Sequence, residues 1–72
     1  MRLGKELKSL TKSELERAKE ALNLTDSEEV VFDMLAKDKS IVYIADKSGM
    51  STSTVSNRVK DIREKYVRWK YE

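Results

Sequence analysis

Apolar residues recur at helical spacing along most of the chain, beginning with residues 1–23. The leucines and alanines of this segment fall within one broad face of a 3.6-residue period. The sequence TKSE at residues 11–14 fits a capping box, in which a threonine oxygen and a glutamate each satisfy a free backbone N–H. The pattern fits one long helix, but the capping box favours a break near residues 9–11 and a second helix that ends at about Ala21.

A second capping box, TDSE at residues 25–28, predicts the start of the next helix. Acidic residues in its first turn suit the positive end of the helix dipole. The helix is expected to run to about Lys37 and to bury one row of apolar side chains. These are Val31, Phe32, Met34 and Leu35.

Residues 40–65 have the pattern of two helices joined by a tight turn. Ser40 and Ser51 are suited to cap the two helices, and Gly49 stands where a left-handed residue would end the first. The face of the second helix that we expect to be buried carries Val55, Val59 and Ile62. A short helix, a turn with glycine and a second helix with a polar, basic outer face are typical of a helix-turn-helix. DNA binding is therefore the first hypothesis.

Residues 66–71 alternate bulky and basic side chains, and they fit the last turns of the second helix, a short strand or a frayed end. Their aromatic rings would either stack on nucleic acid or, as we favour, fold back on a small core. The sequence thus predicts one all-α domain with a helix-turn-helix, about four helices and, as one alternative, a short extended C-terminal segment. Its parts are a helical segment 1–23, a helix-turn-helix core 24–66 and a tail 67–72.

The chain of 72 residues contains no cysteine and no histidine. Disulfides, thiolate or zinc sites and a Ser-His nucleophile pair are thereby excluded. We expect no cofactor, no metal, no small-molecule substrate and no enzyme, because no cluster of carboxylates, lysines or serines has a cleft that would shift its pKa. No apolar run has membrane-spanning length and no signal-peptide core is present, so a soluble, cytoplasmic protein is expected.

Positive charge is concentrated on the segment that contains the helix-turn-helix. Residues 40–72 carry seven basic and four acidic side chains, whereas residues 24–39 carry two and five. A nucleic-acid surface requires such an excess, although solvated helix surfaces carry similar charges.

From Leu24 onward the spacing resembles the DNA-binding domain of the LuxR/GerE family of bacterial transcription regulators, which shares its skeleton with region 4 of sigma factors. The matching residues are LTxxExxVFxxLA at 24–36, KS at 39–40, IA at 44–45, GMS at 49–51 and TVxNxV at 54–59. The likeness extends over residues 24–66 without a gap. It implies a tetrahelical domain that binds DNA and regulates transcription.

The sequence also departs from that family. The departures are Val30 for an acidic residue, Val42 and Tyr43 for a polar pair, and Ser48 for a leucine. The family continues into a fourth helix that commonly forms the dimer contact, and residues 1–23 are the segment that would replace it here. A weaker likeness links residues 51–59 to the recognition helices of winged regulators of the Lrp/AsnC type, in which case residues 66–71 would begin a wing.

The LuxR/GerE resemblance implies that Ser56, Asn57 and Lys60, on helix 52–65, face base edges in the major groove. The chemistry agrees, because asparagine pairs with adenine and lysine donates to guanine. Phosphate contacts are expected from the hydroxyl residues at the helix start and from three cations beside the reading face. These residues are Ser51, Thr52, Ser53, Thr54, Arg58, Arg63 and Lys65.

Specific binding to double-stranded DNA by so small a module is expected to need a second contact. One helix in one groove buries little surface, so we expect a homodimer on half-sites about one turn apart, or a second regulatory protein. Leu3, Leu7 and Leu10 are candidate dimer contacts, and extension of the core is an equal alternative for them.

The main alternative function is a protein-interaction module. A helix-turn-helix domain of low net charge, +2, would also suit binding to another regulator or to RNA polymerase instead of DNA. In that case the acidic helix 26–38 is the segment that would contact a basic partner surface. Binding that weakens steeply with salt distinguishes the DNA-binding hypothesis from this one.

Overall fold

The computed structural model describes residues 2–72, and all the regular structure in that range is helical. The helices are α1 (Leu3–Lys8), α2 (Lys12–Leu22), α3 (Asp26–Ala36), α4 (Ile41–Ser48) and α5 (Thr52–Tyr71). The all-α prediction is confirmed. Five helices are found where about four were expected, and the favoured break near residues 9–11 is present.

Hydroxyl caps account for the start of every helix after α1. Thr11 accepts a hydrogen bond from the Glu14 N–H at 3.2 Å, and Thr25 accepts one from the Glu28 N–H at 3.3 Å. In both cases the glutamate side chain accepts from the threonine N–H in return, so both predicted capping boxes form. These bonds satisfy backbone N–H groups that have no partner within the helix.

One apolar cluster holds the five helices together. α1 packs on α3, α2 packs on α5, and α3 and α4 both pack on α5. The buried members are Leu3, Leu7, Ala18, Leu22, Val31, Phe32, Leu35, Ile44, Ala45, Val55, Ile62 and Tyr66. Residues 3–22 therefore supply part of the core itself and are not an appendage.

The burial of the first leucines bears on the expected dimer contact. Leu3 and Leu7 are 3% and 0% exposed, so these side chains already contact the protein's own core and leave almost no surface for a second copy. Leu10 is half-buried against the same cluster. The core alternative therefore describes Leu3 and Leu7.

The C-terminal residues continue α5 and are not an extended segment or a tail. Tyr66 follows Ile62 by one helical turn and is fully buried with it, so it extends the buried face of α5. The Tyr66 and Trp69 rings lie 5.9 Å apart, and the Tyr71 hydroxyl donates to Glu6 of α1 at 3.1 Å. The 20 residues of α5 make a helix about 30 Å long.

Candidate nucleic-acid interface

The turn between α4 and α5 is built from short local hydrogen bonds and one left-handed glycine. Ser40 caps α4 by accepting from the Tyr43 N–H at 3.1 Å. The Ser48 hydroxyl donates to the Ile44 carbonyl at 2.6 Å, and Gly49 then ends the helix with φ +73°. Glycine is required there because this region is costly for residues with a Cβ. The predicted helix-turn-helix residues occupy the expected positions.

The hydroxyl residues at the start of α5 divide into two pairs. Ser51 caps the helix by accepting from the Thr54 N–H at 3.1 Å, and its hydroxyl also donates to the Thr54 hydroxyl at 2.9 Å. The Ser51 hydroxyl therefore both donates and accepts in the cap, and the half-buried Thr54 hydroxyl accepts in it. Thr52 and Ser53 are exposed, and within residues 2–72 their side chains have no hydrogen-bond partner. They are the hydroxyls that are open to a ligand.

The predicted reading residues lie together on the outer surface of α5. Ser56, Asn57 and Lys60 are all exposed, whereas Val55 and Ile62 on the opposite face are fully buried. Because a helix repeats every 3.6 residues, the three polar side chains form one row over about one turn. The row presents a hydroxyl, an amide and an ammonium group over about 6 Å of the helix axis.

Two of the cations predicted to contact phosphate are instead engaged with the start of α3. Arg58 donates through Nε to the Ser27 hydroxyl at 3.3 Å. Lys65 Nζ lies 2.8 Å from Glu28 Oε1, and the Glu28 side chain is only 6% exposed. A phosphate would have to share each head group with that partner, and at Lys65 it would compete with the charge of Glu28.

Hydrogen bonds hold the Glu28 carboxylate of this contact in its charged form. Burial acts to raise its pKa, but hydrogen bonds from the Lys65 ammonium and the Thr25 backbone N–H outweigh burial, and its pKa is held below the ordinary value. Glu28 therefore stays ionised near neutral pH and fixes Lys65. The link joins the first turn of α3 to the middle of α5.

The surface around this link is balanced in charge. We call it the α3 flank of α5, and it consists of Thr25, Ser27, Glu28, Arg58, Asp61, Glu64, Lys65 and Arg68. It contains three basic and three acidic side chains. Such a surface offers no net attraction to a polyanion.

Arg63, the third predicted phosphate cation, differs from the other two. It is exposed and has no acidic partner within 4 Å in the described part of the chain. It lies on the side of α5 away from the α3 flank, because it is nearly half a helical turn from both Arg58 and Lys65. Its charge is available to a ligand.

The sequence pattern missed a basic and aromatic cluster on α4. The Tyr43 ring lies 4.9 Å from Lys39 Nζ and 5.7 Å from Lys47 Nζ, both within cation–π range. The neighbouring Val42 is 70% exposed. Tyr43 and Lys47 lie on one face of α4, and Lys39 comes from the loop before it; the i, i+4 spacing of Tyr43 and Lys47 is the signal that was available.

Two further features of the described residues concern metal binding and membrane insertion. No group of three or more acidic, histidine or cysteine side chains within residues 2–72 is arranged to hold a metal ion. None of the five helices is long and apolar enough to cross a membrane.

The chain was compared with families, curated proteins and solved structures. It matches no family model, no curated protein and no solved structure.

Proposed function

We propose that this protein is a sequence-specific DNA-binding regulator of transcription that inserts the first half of α5 into the major groove. The observation that carries the proposal is the exposed row of Ser56, Asn57 and Lys60 on α5. This row follows a glycine turn, and its helix is packed against α3 and α4. An α-helix of this width fits the major groove, where the base edges are distinguishable.

The proposed roles follow from the donors and acceptors that each side chain carries. The Asn57 amide pairs with the N6 and N7 edge of adenine, and the Lys60 ammonium donates to O6 and N7 of guanine. Thr52, Ser53 and the free N–H groups of the first turn bind a phosphate and fix the register of the helix. Arg63 neutralises a phosphate at the groove wall.

The resemblance of residues 24–66 to the LuxR/GerE domain supports the same proposal, because that family acts on transcription through such a helix. We extend the proposal to a cytoplasmic regulator that binds as a homodimer or together with a second protein, since one α5 supplies few base contacts. With Leu3 and Leu7 in the core, the dimer surface of this proposal includes neither side chain.

The experiment begins by selecting bound duplexes from a randomised 20-base-pair library. The affinity of the selected duplex and of a scrambled duplex is then measured by fluorescence anisotropy. Asn57→Ala and Lys60→Ala should each reduce the discrimination between the two duplexes by about 1–3 kcal/mol. Lys12→Ala, an exposed lysine at the start of α2, is the matched control and should leave discrimination unchanged.

The proposal is wrong if no sequence is enriched. It is also wrong if Lys60→Ala leaves both duplex affinity and its salt dependence unchanged, because a charge in the major groove must contribute to both.

One observation favours the alternative function, a module that binds another regulator or RNA polymerase. Ile41, Val42 and Tyr43 begin α4 with exposed fractions of 37%, 70% and 39%. Adjacent exposed apolar side chains of this kind mark protein contacts more often than DNA contacts. Under this alternative, Val42→Ser abolishes partner binding and no duplex is selected from the library.

A further inference from the structure

A basic groove lies beside α5, on the side opposite to the α3 flank. We call it the α1 groove. Its charged residues are Arg2, Lys5, Lys8, Asp38, Lys39 and Arg63, and its volume is about 660 Å³. They come from α1, from the loop before α4 and from α5. Residues that are 61 positions apart in the chain thus converge on one surface.

The charges of the α1 groove are strongly unbalanced. Five side chains are basic and one is acidic. Asp38 pairs with Lys8 at 3.1 Å, with both side chains more than half exposed. Among the residues that the structure describes, the other four cations have no acidic group within 4 Å. Like charges repel across such a groove, and an anion relieves that repulsion.

The core holds these cations in place. Leu3 and Leu7 fix α1 on α3, so Arg2 and Lys5 stand on a short helix whose position is set by packing. The Lys8–Asp38 pair joins the same helix to the loop before α4. The backbone that carries these cations is therefore positioned before a ligand binds, and only their side chains need to be ordered.

The groove is continuous with the proposed DNA surface. Val59 and Arg63 form its wall on α5, and Arg63 lies one helical turn beyond the reading residue Lys60. Ile41, the first residue of α4, forms another part of the wall. In a helix-turn-helix complex the first helix crosses the DNA backbone, so a strand that passes the start of α4 would continue into this groove.

We propose that the α1 groove binds the DNA sugar–phosphate backbone next to the major groove that α5 reads. This inference rests on the proposed function and adds a role for the N-terminal helix. Arg2, Lys5, Lys39 and Arg63 neutralise successive phosphates without reading bases. Duplex DNA is favoured over an acidic peptide because the groove adjoins the reading row and because two of its apolar residues, Leu3 and Leu35, are already buried in the core.

The test compares two variants that remove the same charge from different helices. Arg2→Gln/Lys5→Gln removes one arginine and one lysine from the α1 groove. Lys12→Gln/Arg17→Gln removes the same two residue types from the exposed face of α2. Duplex affinity is measured over a range of salt concentrations for the full chain, using the selected duplex and a scrambled duplex. Thermal unfolding establishes that both variants are folded.

The α1 variant should lower the slope of log K against log salt by up to about two, because each lost phosphate contact releases about one counterion fewer. Its affinity for both duplexes should fall by the same factor, while the α2 variant retains the wild-type slope. Hydroxyl-radical footprinting should show loss of protection at the edge of the site alone.

Equal slopes for wild type and the α1 variant would overturn the inference. If Lys60→Ala still reduced discrimination between the duplexes in that case, the proposed function would stand and only the role of the α1 groove would fail. An acidic peptide would then be the remaining ligand for the groove. If wild type selected no duplex, the proposed function and this inference would fail together.

Discussion

The two surfaces on either side of α5 both carry basic side chains, three on the α3 flank and five in the α1 groove, and they differ in how those charges are paired. On the α3 flank, Arg58 and Lys65 are bound to Ser27 and Glu28, and acidic residues match the basic ones in number. In the α1 groove, four of five cations have no acidic partner among the described residues. The first surface stabilises the fold, and the second is free for a polyanion.

This difference shows why a count of charges along one helix is a poor guide to its ligand. Arg58, Arg63 and Lys65 lie within a stretch of eight residues, and all three side chains are basic. Only the position of α3 separates them, because its first turn supplies partners for two of the three. Substitutions on the α3 flank should therefore change stability, and substitutions in the α1 groove should change binding.

The largest expected effect comes from weakening the packing of α1, the helix that carries part of the α1 groove, on the core. Leu7→Ala deletes a fully buried side chain between α1 and the core. The free energy of unfolding should fall by about 2–5 kcal/mol, because a cavity is left where packing contacts are lost. Urea denaturation followed by circular dichroism measures this loss. Leu10→Ala, at a half-buried position, is the control and should cost less; an equal or smaller loss for Leu7→Ala would contradict its burial.

The next effect tests the stabilising role of the α3 flank. Glu28→Gln keeps an oxygen for the Thr25 N–H but removes the charge that holds Lys65. Unfolding free energy should fall by about 1–2 kcal/mol. Lys65→Met should cost more, because it leaves a carboxylate of low exposure without its cation. Duplex affinity of Glu28→Gln should not fall, since the substitution frees Lys65 instead of removing a cation.

Acid provides an independent check on the same contact. Because the pKa of Glu28 is lowered in the folded state, its stabilising contribution is present above the unfolded-state pKa and is lost as pH falls through the folded-state pKa. The difference in unfolding free energy between wild type and Glu28→Gln should therefore be largest near neutral pH and should vanish in strong acid. A difference that did not change with pH would show that the charge of Glu28 is not the cause.

The sequence predicted those features whose causes are local. A capping box is a contact between residues three apart, so Thr11 and Thr25 could be identified directly, and Gly49 follows from the turn itself. The contacts of Arg58 and Lys65 join residues 31 and 37 positions apart, and no periodicity contains them. The same holds for the α1 groove, which exists only because the core places α1 beside α5.

The sequence left the conformation of residues 66–71 open, as helix, strand or frayed end, for a related reason. Residues 66–71 combine aromatic, β-branched and basic side chains, a composition that suits strands and helices alike. The contact between the Tyr66 and Trp69 rings fits a helix and not a strand, because residues three apart point to opposite faces of a strand. That choice depends on a core that the sequence pattern does not describe in three dimensions.

The smallest expected effect on stability sharpens the comparison most, because it predicts a gain of binding. Asp38→Asn removes the one acidic side chain of the α1 groove, and asparagine tolerates the left-handed φ of +63° found at this position. The pair with Lys8 is exposed, so the loss of stability should be below about 1 kcal/mol. Duplex affinity at low salt should rise, and the salt slope should steepen by up to about one as Lys8 becomes available to a phosphate. Asp33→Asn, which removes one of the two acidic partners of Lys19 and changes the net charge equally, is the matched control and should leave the slope unchanged. If the two variants steepened the slope equally, net charge alone would explain the gain, and the α1 groove would have no particular part in binding.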